Sequence, residues 1–179
     1  GKSYLVWKSL AGKLSAPGNH VLPTSGHYLL AYDKNGNFQG VNPMQLDVYD
    51  ASFMCRLKYN SHDGLLYYYG ETYPYGASGY VKMNNTTLTK RYFMAKYSTT
   101  GGFVSVIESD GGGFGGMQFD TDGSMYLTGT GISGRQHLGQ TFSGSSSGAP
   151  YVAKLASNGT VIWMKKAVTN AASSGNDVA

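Results

Sequence analysis

Charge is scarce in this chain. Asp, Glu, Lys and Arg make up 13 % of its 179 residues, against roughly 25 % in an average soluble domain. Basic residues outnumber acidic ones by 14 to 10, a formal charge of +4, yet Lys8, Lys34, Lys58, Lys82, Lys96 and Lys154 are scattered along the chain. Nucleic-acid binding needs a basic stripe or patch, so the excess reads as solvated surface and no nucleic-acid partner is expected. Cysteine occurs once, at Cys55. That excludes an internal disulfide framework and any CxxC metal site, and the alternation of Cys55 with Leu57 and Tyr59 marks it as an apolar filler. No stretch reaches the roughly 18 apolar residues of a membrane span. The opening residues, GKSYLVWKSL, have neither an initiator Met nor the parts of a signal peptide, so a piece or a processed form of something longer is expected. A sustained 3.6-residue apolar period is also missing, which predicts almost no helix.

Glycine, at 26 residues, and tyrosine, at 15, are in excess, a composition that favours strands and tight turns. Self-similarity organises them. Three segments align without gaps: YLLAYDKNGNFQGV from Tyr28, FMAKYSTTGGFVSV from Phe93 and YVAKLASNGTVIWM from Tyr151. Their turn glycines, Gly36, Gly101 and Gly159, supply the positive φ of a tight hairpin. Upstream of each lies another matching strand, GKSYLVWKSLAG from Gly1, GLLYYYGETYPYG from Gly64 and GSMYLTGTGISG from Gly123, with Tyr4, Tyr67 and Tyr126 in one register. Asp63 and Asp122 precede the last two. MCRLKY from Met54 and GMQFD from Gly116 add a further strand ahead of each Asp-Gly turn.

The unit is therefore strand, Asp-Gly turn, strand, long loop, strand, Asn-Gly turn, strand, a four-stranded antiparallel meander. The fold class expected is all-β: about three tandem four-stranded repeats, propeller-like blades in an incomplete ring, since closure takes about four to eight. A stacked β-repeat or sandwich is the competing architecture. The approximate units are 1–47, 48–109 and 110–175 within one β-repeat region. Residues 176–179 read as the start of a further unit, because GNDVA resembles the QLDVYD lead-in from Gln45.

Residues 116–166 carry FDTDGSMYLTGTGISG and then PYVAKLASNGTVIWMKKA. This resembles the bacterial SBBP (seven-bladed β-propeller) repeat, which runs Asp-x-x-Gly, aromatic, Thr-Gly, a variable loop, aliphatic-Ala-Lys-aliphatic, an Asn-Gly turn and Trp. The second unit keeps FMAKYSTTGGF and YYYGET without the Trp, and the first keeps the hairpin register with Trp7 elsewhere. The resemblance implies a secreted or surface-attached protein of bacterial type, usually not catalytic, with no family active site to carry over. Quinone-dependent dehydrogenase propellers have a similar strand pair, but no cofactor-binding constellation accompanies it here.

Other motifs dissolve on inspection. GGGFGG at 111–116 satisfies GxGxxG but lacks a following helix, and reads as the connector between units. GSSSG at 144–148 matches a nucleophile elbow around Ser146 without the strand-to-helix turn, and reads as a loop tip. DKNGN at 33–37 and DTDGS at 120–124 begin like Ca²⁺ loops, but with glycine fourth and no terminal acid; Asp and Asn bonding their own backbone explain both. His20, His27, His62 and His137 fall at no ligand spacing, and Glu71, Glu108 and Asp110 are the acids nearest apolar strands. No catalytic, metal or cofactor-binding residue is assigned, and no cofactor is expected.

Tyr67, Tyr68, Tyr69, Tyr73, Tyr75 and Tyr80 crowd one stretch. Three tyrosines in succession must face both sides of a strand, which leaves core packing or a protein or glycan contact surface. The long loops 10–26, 71–90 and 130–149 are polar and emerge on one side if the repeats stack in register, so that side is where function is expected. The reading favoured is a non-catalytic extracellular or cell-surface module acting as a structural, adhesive or binding scaffold. Its partners would be other chains, further repeats of the same protein or surface glycans. A phage or filament appendage is the second reading, and a sugar-binding or propeller-borne enzyme module the third.

Overall fold

The computed structural model describes residues 1–9, 15–16, 20–22, 24–74, 78–143, 148–167 and 175–178. The strands in chain order are β1 (Ser3–Ser9), β2 (Ser15–Ala16), β3 (His20–Val21), β4 (Gly26–Tyr32), β5 (Phe38–Pro43), β6 (Leu46–Tyr49), β7 (Ala51–Asn60), β8 (Leu65–Pro74) and β9 (Tyr80–Met83). They continue as β10 (Thr86–Thr87), β11 (Tyr92–Tyr97), β12 (Phe103–Ser109), β13 (Gly112–Phe119), β14 (Met125–Gly131), β15 (Gln136–His137), β16 (Gln140–Thr141), β17 (Ala149–Leu155) and β18 (Val161–Lys166). No helix occurs among the described residues; none, therefore, is long and apolar enough to cross a membrane.

Three antiparallel sheets carry the repeat: β1-β4-β5, then β7-β8-β11-β12, then β13-β14-β17-β18. Two have four strands and one has three, an arrangement consistent with propeller-like blades, and among the described residues they close no ring. The hairpin glycines do what the turns require, with φ of +82° at Gly36, +71° at Gly64, +86° at Gly101, +80° at Gly123 and +88° at Gly159. Even the irregularities repeat. The pairing slips between Ala31 and Tyr32, Lys96 and Tyr97, and Lys154 and Leu155, which is one position in the register counted three times.

Alternation along the strands sorts side chains between the two faces of each sheet. Tyr4, Val6 and Leu29 of the first sheet pack towards the second, meeting Leu66, Tyr68, Phe93, Ala95 and Tyr97. The second sheet's other face presents Tyr67, Tyr69 and Met94 to Met117, Met125, Leu127, Tyr151 and Leu155 of the third. Each large side chain so covered contributes about 1.5–3 kcal/mol. All three consecutive tyrosines are core: Tyr67 and Tyr69 face forward, Tyr68 faces back.

One expectation is corrected here. GGGFGG is not a connector: Gly112 opens β13, the first strand of the third sheet, at its edge. The glycines are there because neighbours leave no room for a side chain. A Cβ at Gly111 would lie 1.8 Å from the Gln136 carbonyl oxygen, and one at Gly113 would lie 2.9 Å from the Tyr92 ring. The described parts of the long loops pack onto the sheets. Leu22 covers Tyr28 and Leu30. β9 and β10 join β6 in a separate three-stranded sheet that buries Val81, Met83 and Leu88. The β15–β16 hairpin brings in His137, and Phe142 follows it, each 1 % exposed. A few apolar anchors in each otherwise polar loop suffice to dock it.

Candidate functional site

Where the second and third sheets diverge, a cleft of about 460 Å³ opens. Arg56 on β7, Tyr69 and Glu71 on β8, Tyr92 on β11, Phe114 on β13 and Asn176 line it. Glu71 projects from β8 beside Arg91, whose Nε and Nη2 each lie 3.2 Å from its Oε2, and the Tyr73 hydroxyl donates to the same oxygen at 3.1 Å. The Arg91 guanidinium sits 4.2 Å above the Tyr73 ring and 5.0 Å from that of Tyr92. From β7 of the same sheet, Arg56 reaches across the cleft and donates through Nη1 to the carbonyls of Gly115 and, at 3.0 Å, Asn176. The cleft thus combines aromatic faces, one carboxylate and one guanidinium, a wall that suits a polar ligand with an apolar side. Burial raises the Tyr69 phenol, with Arg56 opposing it, and raises that of Tyr92. Cys55 also borders the cleft. Burial pushes its thiol up to about 12, so at neutral pH it is a weak nucleophile.

Beside this cleft lies the most connected buried polar group. His137, 1 % exposed, sits among Phe114, Phe142 and Tyr151, with ring centroids 5.0, 6.3 and 5.1 Å away. Its Nε2 is 2.8 Å from the Tyr151 hydroxyl, which donates to the Gly113 carbonyl at 3.2 Å; its Nδ1 is 2.8 Å from Ser109 Oγ. Since Tyr151 has one proton and gives it to Gly113, Nε2 is the protonated nitrogen and Nδ1 accepts from Ser109. Ser109 Oγ in turn accepts the Gly111 amide at 3.0 Å. Every side-chain polar proton of the network is placed. Burial lowers the His137 pKa to about 4, so the ring is neutral at pH 7. The arrangement holds a loop in the core. Ser109 itself is 7 % exposed, which leaves its hydroxyl little room to meet a substrate.

The three acids nearest apolar strands converge on one segment. Glu108 Oε2 accepts the amides of Thr89 at 2.6 Å and Lys90 at 2.9 Å, Asp110 Oδ1 accepts that of Arg91 at 3.2 Å, and Glu71 holds the Arg91 side chain. They tie the end of the β9–β11 connection to β12 and β8. Glu108→Ala is expected to lower stability by about 1 kcal/mol, since the bonds are charge-assisted but solvent-screened. Hydrogen exchange should show Thr89 and Lys90 exchanging faster while β11 is unaffected.

The aspartate turns are backbone clasps. Asp33 Oδ1 accepts the amides of Asn35 and Asn37, and the Asn37 side chain and amide hold its carboxyl below the usual range. Asp122 Oδ1 accepts the amide of Ser124. His27 is 8 % exposed, with Nδ1 3.3 Å from the Leu46 carbonyl, and burial lowers its pKa. His62 packs where a Cβ on Gly123 would lie 2.3 Å away. The His20 side chain and Ser146 are outside the described residues. Among the described residues no group of three His, Cys, Asp or Glu could hold a metal ion. Sequence reasoning missed the Ser109–His137–Tyr151 chain, whose members stand at no motif spacing; the one available signal was His137 and Phe142 standing in an otherwise polar loop.

No protein-family model matches the chain, and no curated protein matches it.

Proposed function

We propose that the chain is a non-catalytic module of propeller type, of the kind the SBBP resemblance implies, which acts by contact as a structural or adhesive scaffold at a bacterial cell surface. The observation that supports this most is the fate of its reactive groups. Ser109, His137 and Tyr151 close a buried network, and Glu71, Glu108 and Asp110 clasp a loop. Large apolar side chains meanwhile stand in solvent on the outer strands, with Val104 at 51 %, Ile107 at 40 % and Ile162 at 55 % exposure. Exposed apolar side chains at strand edges are available for contact with other chains. The test is saturable binding to immobilised bacterial envelope, together with a panel of chromogenic esters, glycosides and phosphoesters. Binding without turnover is expected. Hydrolysis that disappears in Glu71→Gln overturns the reading, as does an absence of binding.

A sugar-binding role is the second reading, favoured by the cleft, where the Tyr92 ring and the Glu71 carboxylate offer the stacking face and the hydroxyl acceptor a saccharide uses. A saccharide-dependent rise in melting temperature, abolished by Glu71→Ala, would support it over envelope contact through the outer strands.

A further inference from the structure

The repeat register allows each sheet face to be compared with its equivalents. Tyr67 and Tyr126 hold the same position on β8 and β14. Tyr67 is 0 % exposed, its ring 4.8 Å from Phe119 of the third sheet, with Lys96 Nζ 5.0 Å from its centroid. Tyr126 has the same companion, Lys154 Nζ at 4.9 Å, and a further neighbour in Trp163, whose ring centroid is 6.3 Å away. Here, however, no sheet lies over them among the described residues, and Trp163 is 36 % exposed. The third sheet's far face is built like a face that is covered elsewhere in the molecule.

The opposite end shows the complementary half. Leu5 stands where β8 has Tyr68 and β14 has Leu127. Those two are 7 % and 0 % exposed between sheets, whereas Leu5 is 53 % exposed. Leu22 covers Tyr28 and Leu30 on this face, as loops do on the other sheets, but among the described residues no sheet covers the half that a preceding sheet covers in the other two cases. Among the described residues the free edge of β1 is also unpaired, and unpaired edges are where other chains engage.

We propose that a second copy of this chain occupies these faces, stacking the Leu5 face of its first sheet on the Tyr126–Trp163 face of its neighbour's third sheet. The contact continues in trans the one that sheets one and two, and two and three, already make in cis. The occupant is a second copy because the two faces are the separated halves of an interface present twice within the chain. The contact is head to tail, so it either propagates or closes; two copies supply six sheets, within the range that closes a propeller. The proposal rests on the scaffold reading and names its partner.

Light scattering coupled to gel filtration, over a concentration series, tests it. The intact chain is expected to associate. Leu5→Lys and Trp163→Lys, each shown by circular dichroism to fold, are expected to be monomeric. Each retains the face the other has lost, so mixing them should give a 1:1 dimer that grows no further. An intact chain that stays monomeric, or single variants that associate like it, overturns the proposal; so does a mixture of the two that stays monomeric. A monomer that still binds envelope sinks this inference alone, whereas turnover of the substrate panel sinks the reading beneath it.

Discussion

Replacing His137 with phenylalanine is expected to lower the unfolding free energy at pH 7.5 by about 3 kcal/mol. The ring fits aromatic surroundings, since Phe114, Phe142 and Tyr151 all lie against it, so little of the cost is steric. It comes from leaving the Ser109 hydroxyl without its acceptor and Tyr151 without the donor that now fills its lone pair. An unmatched polar group in a dry site costs about 1–3 kcal/mol. The wild-type histidine carries a second signature in its pH dependence. Unfolded, it protonates near 6.5; folded, it resists until about 4. The unfolded state therefore binds more protons throughout that window, so stability is full above about pH 6.5 and falls as the pH drops towards 4, by about 3 kcal/mol in total. His27, lowered by burial as well, adds a loss of the same sign. Urea unfolding at pH 7.5 and 4.5 checks both claims. The variant should be less stable at pH 7.5 and should lose less than the wild type on acidification. Equal losses in the two proteins would show that His137 is not the group that titrates.

The sheets were legible in the sequence because a strand's side chains alternate, and a repeat makes that alternation visible three times. Tyr4, Tyr67 and Tyr126 were placed in register from their spacing alone, and all three point towards the next sheet's position. The hairpins were legible because Asn-Gly and Asp-Gly turns need φ that few residues adopt. What stayed hidden depends on contacts distant in sequence. GGGFGG looked like a linker because nothing local says that Gln136 and Tyr92 crowd Gly111 and Gly113. The β6-β9-β10 sheet was invisible because Leu46–Tyr49 resembled a lead-in and Tyr80–Met83 lay within a polar loop. The cleft joins residues far apart in the chain, Arg56 and Asn176 among them, and no spacing rule connects those.

The sharpest test of the four-stranded sheets concerns one glycine that each of them repeats. Gly70 and Gly129 share a register position in which the first sheet has Trp7. A Cβ on Gly70 would lie 2.0 Å from the Met54 carbonyl oxygen, and one on Gly129 would lie 2.0 Å from that of Gly113. In both cases the obstacle is backbone of the sheet's first strand, β7 or β13, which cannot swing aside like a side chain. Trp7 is tolerated because β1 has β4 as its one strand partner among the described residues. Gly129→Ala must push β13 away from β14, and is expected to cost about 3 kcal/mol or more. The damage should spread, because Gly113 O also accepts the Tyr151 hydroxyl that supports His137, and the Gly129 carbonyl accepts the Gly175 amide at 3.2 Å. Gly26→Ala, with nothing within 4 Å of the added carbon, is the control and should stay within about 0.5 kcal/mol of wild type. Thermal and urea unfolding of the three proteins decides the matter. If Gly129→Ala unfolds alongside the control, β13 is not pressed onto β14 as described, and the account of why Trp7 stands in the first sheet alone falls with it.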